Sequence, residues 1–350
     1  MNSYKTPNNK KRLLQQNKPL NLLDNVKSSY ILKIIFENLP KRQSLKINKF
    51  NKKQQQRLDI NKSTYYEFSE IEIEITLIPN AIGKFINILD KEYEFYYHMF
   101  FNDKITGKKR TYIKKKEKVS KIKIIIDYQV KSFYKLFENI EIIKSIYFKK
   151  FNRSDIFYMN NMFSGCKNLE KINFSKIKTN KVVDMSYMFN DCSSLKKINL
   201  SNFNTNNVIN MSYMFSNCSL LEKIDLSNFN TKKVFNMSHM FAECTLLNEL
   251  NISNFDINKV SDLSYMFYGC HSLKELNLLN FKGNVIFDMS YMFARCYRLK
   301  KLNLPNINIE KVLHKNNIFD ISLEELNVGN FKFSDKNLGD LYKYINSFIN

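Results

Sequence analysis

Residue types that catalytic sites need are scarce in this chain of 350 residues. The seven glycines include no phosphate-binding G-x-G-x-x-G or G-x-x-x-x-G-K motif. The histidines, His98, His239, His271 and His314, are scattered and have no repeated acidic partner. No nucleophile, base and orienting group can be assembled from such a set. The sequence therefore predicts a protein that is not an enzyme and binds no cofactor.

Long apolar segments are also missing. No run approaches the ~20 residues of a membrane-spanning helix, so no membrane span is predicted. Residues 1–17 are polar and basic and lack the apolar core of a secretory signal. We therefore expect the chain in the cytoplasm, with the nucleus as the alternative, where cysteines stay reduced.

The formal net charge of +22 permits nucleic acid or an anionic membrane as a partner. A Lys- and Asn-rich chain can also come from an A/T-biased genome, so charge alone does not favour nucleic acid. The densest basic run comprises Lys108, Lys109, Arg110, Lys114, Lys115, Lys116 and Lys118. We interpret it as a solvated loop, with a docking patch for an acidic partner or a membrane surface as the alternative.

One 26-residue unit repeats from about residue 155 to residue 331. A fixed period of this length is typical of solenoid proteins, whose units bury their apolar faces against their neighbours. Side chains in such a ladder point in parallel, whereas tetrahedral zinc needs converging ligands. The cysteine column is therefore predicted to be buried core and not a metal or disulfide site. Its members are Cys166, Cys192, Cys218, Cys244, Cys270 and Cys296.

Each unit contains two kinds of apolar pattern. Met185, Met188 and Phe189 begin an i, i+3, i+4, i+7 pattern that predicts a short helix. The helix would start at an Asx N-cap, with candidates Asp184, Asn210, Asn236, Asp262 and Asp288. Ile198 and Leu200 then alternate with polar residues, as in a short strand. The sequence thus predicts one strand and one short helix per unit.

The strand pattern Leu-x-x-Ile-x-Leu resembles the leucine-rich repeat. The motif Met-Ser-Tyr-Met-Phe-x-x-Cys-x-x-Leu, with a clean copy at residues 211–221, is similar to the BspA-like leucine-rich repeats of bacterial and protist surface proteins. This resemblance implies a parallel-sheet solenoid that binds other proteins. The expected fold class is an α/β repeat solenoid of the leucine-rich-repeat type, preceded by a small helical segment and a β-rich region.

Five segments are predicted along the chain. They are a mobile basic tail at 1–26, a helical segment at 27–62, a β-rich region with the basic run at 63–120, the repeat array with worn first and last units at 121–333, and a capping helix at 334–350. The helical segment resembles an F-box, which docks a substrate receptor onto a Skp1-type adaptor of a ubiquitin ligase. A small helical subdomain without that role is the alternative.

Two surfaces of the array are candidate partner-binding sites. The first is the outward face of the strands, with Lys197, Asn199, Lys223, Asp225, Glu249, Asn251, Glu275, Asn277, Lys301 and Asn303. The second is a column of rings, with Tyr187, Tyr213, Tyr265 and Tyr291. The leading hypothesis is a non-enzymatic scaffold that binds a protein partner of unknown identity through the strand face. An F-box-like substrate adaptor and a basic binder of nucleic acid or anionic membrane are the alternatives.

Overall fold

The structure is a computed structural model that describes residue 23 and residues 26–37, 52–58, 71–102, 104, 110–127, 130–151, 153–278, 281, 283, 285–303, 312–319 and 327–329. The chain divides into two compact units, Met1–Ser69 and Glu70–Asn350. Most of the predicted tail, residues 38–51 of the predicted helical segment and the capping helix at 334–350 lie outside the described residues.

The first unit contains two described helices, α1 (Ser29–Glu37) and α2 (Lys52–Arg57). Helix α1 buries Leu32 and Phe36, which are four residues apart and therefore lie on one face. Arg57 of α2 donates hydrogen bonds to the carbonyls of Val26 and Lys27, at 2.5 and 2.9 Å. Both helices lie within the segment at 27–62 that the sequence predicted to be helical.

The second unit begins with a mostly antiparallel sheet. Its strands are β1 (Ile71–Leu77), β3 (Tyr97–Phe101), β5 (Lys121–Ile126), β6 (Ile143–Phe151) and β7 (Lys171–Asn173). The strand order is β3-β5-β1-β6-β7, and only β6 and β7 are parallel. Strand β1 alternates buried isoleucines with partly buried glutamates, as in a strand with one face on the core, and lies in the region predicted to be β-rich. Two short strands, β2 (Gly83–Lys84) and β4 (Tyr112–Ile113), pair beside it.

Strand β6 belongs to both the antiparallel sheet and the repeats. One edge pairs with β1, and the other pairs in parallel with β7, where Ser145 faces Lys171, the residue 26 positions later. The side chains expected to form a worn first unit are buried, among them Phe133, Phe137 and Ile140. The sheet therefore crosses the segment boundary that the sequence placed at residue 120.

Further parallel strands follow, all three residues long: β8 (Lys223–Asp225), β9 (Glu249–Asn251), β10 (Glu275–Asn277), β11 (Lys301–Asn303) and β12 (Asn327–Gly329). Strands β8 and β9 form one sheet and β10, β11 and β12 another, with partners 26 residues apart. Lys197 and Lys223 form a single parallel bridge. The predicted parallel pairing of successive units is thus confirmed, while their assignment to the leucine-rich-repeat class stays a prediction.

A second ladder joins the units at another point of each repeat. Single parallel bridges link residues that are 26 positions apart, at Ser132, Tyr158, Asp184, Asn210, Asn236, Asp262, Asp288 and His314. A third contact is made by threonine. The buried Thr205 hydroxyl donates to the Asn230 carbonyl at 3.0 Å and accepts from the Asn230 N–H at 2.7 Å. Thr179 and Thr231 make the same pair of bonds one unit earlier and later.

The prediction of a short helix in each unit is wrong for the described units. The segment is a series of turns, each closed by a hydrogen bond between residues three positions apart. Within one unit, the Met188 N–H donates to the Met185 carbonyl at 3.3 Å. Alternate N–H groups leave the unit instead, as when Phe189 donates to the Met214 carbonyl at 2.9 Å. Tyr187 and Asp191 have left-handed backbones, which an α-helix cannot accommodate.

The residues expected to be helix N-caps close Asx turns. The Asp184 Oδ1 accepts from the Ser186 N–H at 2.9 Å and from its hydroxyl at 2.7 Å. Asn210, Asn236, Asp262 and Asp288 accept from the serine two residues later in the same way. The turns bury the same side chains that a helix would bury. Stacked phenylalanine rings from Phe163 to Phe293 lie 5.5–5.7 Å apart between centroids.

Candidate functional site

The strand face predicted from the sequence lies on the surface. Nine of its ten residues are exposed and Asn303 is partly buried. Between them, Ile224, Leu276 and Leu302 point into the core. The alternation of three-residue strands therefore places the ten side chains along one surface, as expected from their sequence positions.

Charges on this face compensate one another within the chain. Lys223 forms an ion pair with Glu249, and Lys301 lies 3.8 Å from Glu275 between Nζ and Oε2. The change of sign along the column thus creates contacts between neighbouring units. Glu249 and Glu275 are 26 residues apart and carry like charges at equivalent positions of successive units. Their strands belong to different sheets, and each carboxylate has a lysine of its own.

The asparagine column beside these charges closes turns. The Oδ1 atoms of Asn199, Asp225 and Asn251 accept from the N–H two residues later at 2.9–3.2 Å. The Ser227 N–H in this arrangement lowers the pKa of Asp225. These side chains therefore have a structural role that explains their presence without a ligand.

The second candidate surface is a stack of aromatic side chains, which we call the ring column: Tyr187, Tyr213, His239, Tyr265 and Tyr291. Successive ring centroids lie 4.2–4.7 Å apart, and the ring planes are within 17° of parallel. All five side chains are partly buried, so part of each ring meets solvent. The column runs over five consecutive units without interruption.

Backbone geometry in the ring column is unusual for aromatic residues. All five members have φ between 56° and 58°, in the left-handed region that Gly and Asn tolerate best. Asn161 and Asn317 occupy the same position in the flanking units, with φ of 56° and 47°. The Asn317 side-chain amide donates to the Tyr291 hydroxyl at 3.2 Å. Asparagine is therefore compatible with this backbone position, and the aromatic residues are not required by it.

A parallel set of left-handed residues lies four positions later in each unit, and we call it the turn column: Gly165, Asp191, Asn217, Glu243, Gly269 and Arg295. Arg295 lies 3.7 Å from Glu243 between Nη1 and Oε1, across the unit that contains Gly269. It also donates to the Tyr268 hydroxyl at 3.1 Å. Tyr268 packs edge-on against Tyr265, which connects this cluster with the ring column.

His239 replaces tyrosine at the centre of the ring column. Its ring lies between those of Tyr213 and Tyr265, at 4.2 and 4.5 Å. Burial lowers the pKa of His239, although Asp262 and Asp288 act in the opposite direction. Burial raises the pKa of Tyr213. Both shifts favour the uncharged form of the side chain.

The six cysteines are fully buried thiols, as the sequence predicted. Each Sγ donates to the carbonyl of the phenylalanine 29 residues earlier, at 3.0–3.2 Å. Burial raises the pKa of Cys166, Cys218 and Cys296 to about 12. Among the described residues, no group of three or more His, Cys, Asp or Glu side chains could hold a metal ion.

An exposed column of apolar residues was missed in the sequence. We call it the apolar stripe: Phe157, Val183, Ile209, Phe235, Phe287 and Leu313, with Ser261 at its one polar position. All but the partly buried Val183 and Ser261 are 37–65% exposed. The signal was available, because apolar residues recur at this position with the 26-residue period. The predicted helix began one residue later, at the N-cap, and therefore did not include this position.

The basic run is only partly described. Lys114, Lys115, Lys116 and Lys118 are exposed, which agrees with a solvated loop, whereas Lys108 and Lys109 lie outside the described residues. Arg110 has a local role, since its Nη1 donates to both oxygens of Glu117 at 2.7 Å and its guanidinium covers the Phe101 ring at 4.5 Å.

Comparison with known proteins yields one family. A family model described as "Mycoplasma protein of unknown function, DUF285" matches residues 131–249 and 217–331, which together span more than half of the 350 residues. No curated protein and no solved structure matches the chain. None of the helices in the described ranges is long and apolar enough to cross a membrane.

Proposed function

We propose that this chain, which belongs to the family of Mycoplasma proteins of unknown function DUF285, is a non-enzymatic scaffold that binds a protein partner through the ring column. The observation that carries the proposal is a row of five partly exposed aromatic rings at left-handed backbone positions. Tyrosine is enriched among the residues that dominate binding energy in protein interfaces.

Energetics support a role beyond folding. A non-glycine residue in the left-handed conformation costs roughly 1–2 kcal/mol. A stacked aromatic pair contributes roughly 0.5–1.5 kcal/mol. The two terms nearly cancel, so the ring column adds little net stability. Asparagine, which tolerates the left-handed backbone better than tyrosine does, occupies this position at Asn161 and Asn317. Residues held at such a cost are found most often at functional sites.

The strand face is the second surface to consider for the same function. Its exposure and its continuity over several units support it. Its charges, however, are paired between Lys223 and Glu249 and between Lys301 and Glu275, which weakens electrostatic attraction of a partner. Its Asx turns also explain the asparagine column. The ring column has no comparable structural explanation.

A matched pair of variants tests the proposal. Tyr213→Asn with Tyr265→Asn removes two rings and places at each site the residue that the flanking units carry there. Lys197→Glu with Lys223→Glu alters the strand face. Both folded proteins, tagged at full length, are used to capture partners from cells that express the chain. We expect the tyrosine variant to lose a partner that the lysine variant retains, and the opposite result would reject the ring column.

An F-box-like adaptor is the second candidate function. Tyr30, Ile31 and Ile34 of α1 are exposed apolar side chains, as a docking helix requires. Residues 38–51 and 59–62 of the F-box-like segment lie outside the described part. Recovery of a Skp1-type adaptor that is lost on deletion of residues 27–62 would support this function over the first. The proposal that the chain is a basic binder predicts steeply salt-dependent binding to nucleic acid or anionic lipid instead.

A further inference from the structure

The apolar stripe is a continuous ladder of backbone hydrogen bonds. The N–H of each member donates to the carbonyl of the member one unit earlier, at 2.7–3.1 Å, from Phe157 to Leu313. Six steps of parallel-strand spacing make the stripe roughly 29 Å long. Solvent-exposed positions in this chain are mostly Lys, Asn, Ser, Asp and Glu. A row of exposed apolar residues that is interrupted only at Ser261 indicates an interface.

Charges of opposite sign lie on the two sides of the stripe. Each unit contributes one residue to the stripe. The residue two positions before it belongs to a column that we call the basic flank, and the residue one position after it belongs to a column that we call the acidic flank. The basic flank consists of Lys181, Asn207, Lys233 and Lys259 and is continued by the exposed, uncharged Val285, and the acidic flank consists of Asp184, Asn210, Asn236, Asp262 and Asp288. Contacts confirm that both flanks adjoin the stripe. The Lys181 Nζ lies 5.7 Å from the centre of the Phe157 ring. His314, which follows Asp288 in the acidic-flank column one unit later, packs edge-on against the Phe287 ring.

The charges nearest the stripe have no ion-pair partner within the described ranges of the chain. Lys181 and Lys259 are exposed, and Asp184 and Asp262 are partly buried with their Oδ1 atoms held by serine. Some exposed charges elsewhere on the array pair between units, as in Lys223 with Glu249 and Lys144 with Glu170, whereas others, such as Lys197, have no ion-pair partner in the described ranges. At the end of the basic flank, Asp155 is compensated by Lys131 and Arg153. Lys181, Lys259, Asp184 and Asp262 are thus available for ion pairs with charges of a second molecule.

This pattern is complementary to itself. If a copy of the chain is turned by half a revolution about an axis along the stripe, its acidic flank faces the basic flank of the first copy. Lys181 then faces Asp184 of the second copy, Lys259 faces Asp262, and each apolar residue meets its own equivalent. An axis across the stripe would instead place lysine against lysine. Such isologous contacts are the commonest type in protein dimers.

We infer that the apolar stripe is the interface of a homodimer in which the two stripes pack in parallel and in register. The apolar stripe shares no residue with the ring column, although Asp262 and Asp288 of the acidic flank lie near enough to His239 to act on its pKa. The flanks fix the relative direction of the two copies, because like charges across an interface disfavour the antiparallel arrangement.

Cross-linking can test whether the two copies are parallel. All six natural cysteines are buried, so a cysteine introduced on the surface is the accessible thiol of its variant. Phe157→Cys and Phe287→Cys are made separately in the full chain and oxidised at a concentration where the dimer forms. In the parallel arrangement each forms a disulfide with its own equivalent, and both give a cross-linked dimer. In an antiparallel arrangement each of these residues lies far from its equivalent in the other copy, and neither variant forms a cross-linked dimer. Asn199→Cys on the strand face is the control that should stay monomeric on a denaturing gel.

Sedimentation of the unmodified chain and three variants completes the test. We expect a dimer for the natural sequence and a dissociation constant raised more than about 100-fold by Phe235→Asp, which leaves a buried charge in the interface. Lys181→Glu with Lys259→Glu should weaken the dimer about tenfold per residue, whereas Lys176→Glu with Lys178→Glu should not. A natural chain that stays monomeric, or cross-linking at neither stripe position, would overturn the inference. So would binding of a monomer to phosphatidylserine vesicles that Phe235→Asp abolishes.

Discussion

The ring column and the turn column share the left-handed backbone conformation, but one carries aromatic residues and the other mainly small or polar ones. In the turn column, φ of 56–73° is filled mainly by Gly, Asn and Asp, which accept it readily. In the ring column, φ of 56–58° is filled by tyrosine and histidine. The turns themselves therefore do not select the aromatic residues. What distinguishes the ring column is the contact between rings of successive units and the part of each ring that meets solvent.

The largest difference should come from removing a ring at the centre of the ring column. Tyr213→Ala loses two stacked contacts and keeps the left-handed strain, so we expect a loss of about 1–3 kcal/mol in the free energy of unfolding. Tyr213→Gly loses the same contacts but relieves the strain, and should be more stable than the alanine variant by about 1 kcal/mol. Urea unfolding of both variants measures the difference. Equal stabilities would mean that the backbone is not strained there.

Substitution of a turn-column glycine should have the next largest effect. Gly269 has φ of 71°, and an added Cβ would lie 2.7–2.9 Å from the Glu243 carboxyl group. We expect Gly269→Ala to cost about 1–2 kcal/mol, mainly from the left-handed backbone. The Glu243 side chain is flexible, so a double-mutant cycle with Glu243→Ala should give a coupling below about 0.5 kcal/mol. A larger coupling would show that the steric contact decides the cost.

Acidification should distinguish His239 from the tyrosines around it. Its pKa is lowered in the folded protein by burial, so the unfolded chain binds the proton more readily. The free energy of unfolding should therefore fall as the pH drops through about 6.5, the ordinary pKa of histidine, and continue to fall until the folded pKa is reached. His239→Tyr should remove this component. Unfolding measured from pH 8 to pH 5 for both proteins, with His314→Asn as a control outside the ring column, tests it.

The smallest effect should come from Asn217→Gly in the turn column. Both residues tolerate the left-handed conformation, and Gly165 and Gly269 already occupy equivalent positions. We expect a change of less than about 0.5 kcal/mol in the free energy of unfolding. A loss comparable to that of Tyr213→Gly would indicate that the Asn217 side chain contributes more than its contact with Ser216 suggests.

The parts of the fold that depend on the repeat period could be predicted from the sequence. Burial of Met185, Met188, Phe189 and Cys192 and the parallel pairing of residues 26 apart both follow from it. The spacing of apolar residues could not distinguish a short helix from stacked turns, because both bury the same four positions. The difference lies in where the N–H groups donate. Bonds to the next unit replace the i to i−4 bonds of a helix, and only the assembled array reveals this.

The candidate surfaces show the same division. Exposure of the strand face and the order of the tyrosines could be deduced from alternation and period. The ion pair between Lys223 and Glu249 requires side-chain positions that the sequence does not contain. The left-handed backbone of Tyr187 was unpredictable for a physical reason, since tyrosine is among the residues least expected there.

Bonds between units place a strict condition on how the gene for this chain can change in length. Each column, from the thiols to the rings, recurs every 26 residues and makes its contacts with a neighbouring unit. Insertion of a single residue within a unit would shift one side of each ladder against the other, whereas duplication or deletion of a whole unit leaves every neighbour the same. Unequal recombination between repeats can therefore produce longer and shorter alleles that all fold, and selection can adjust the length of the binding surfaces by copy number alone.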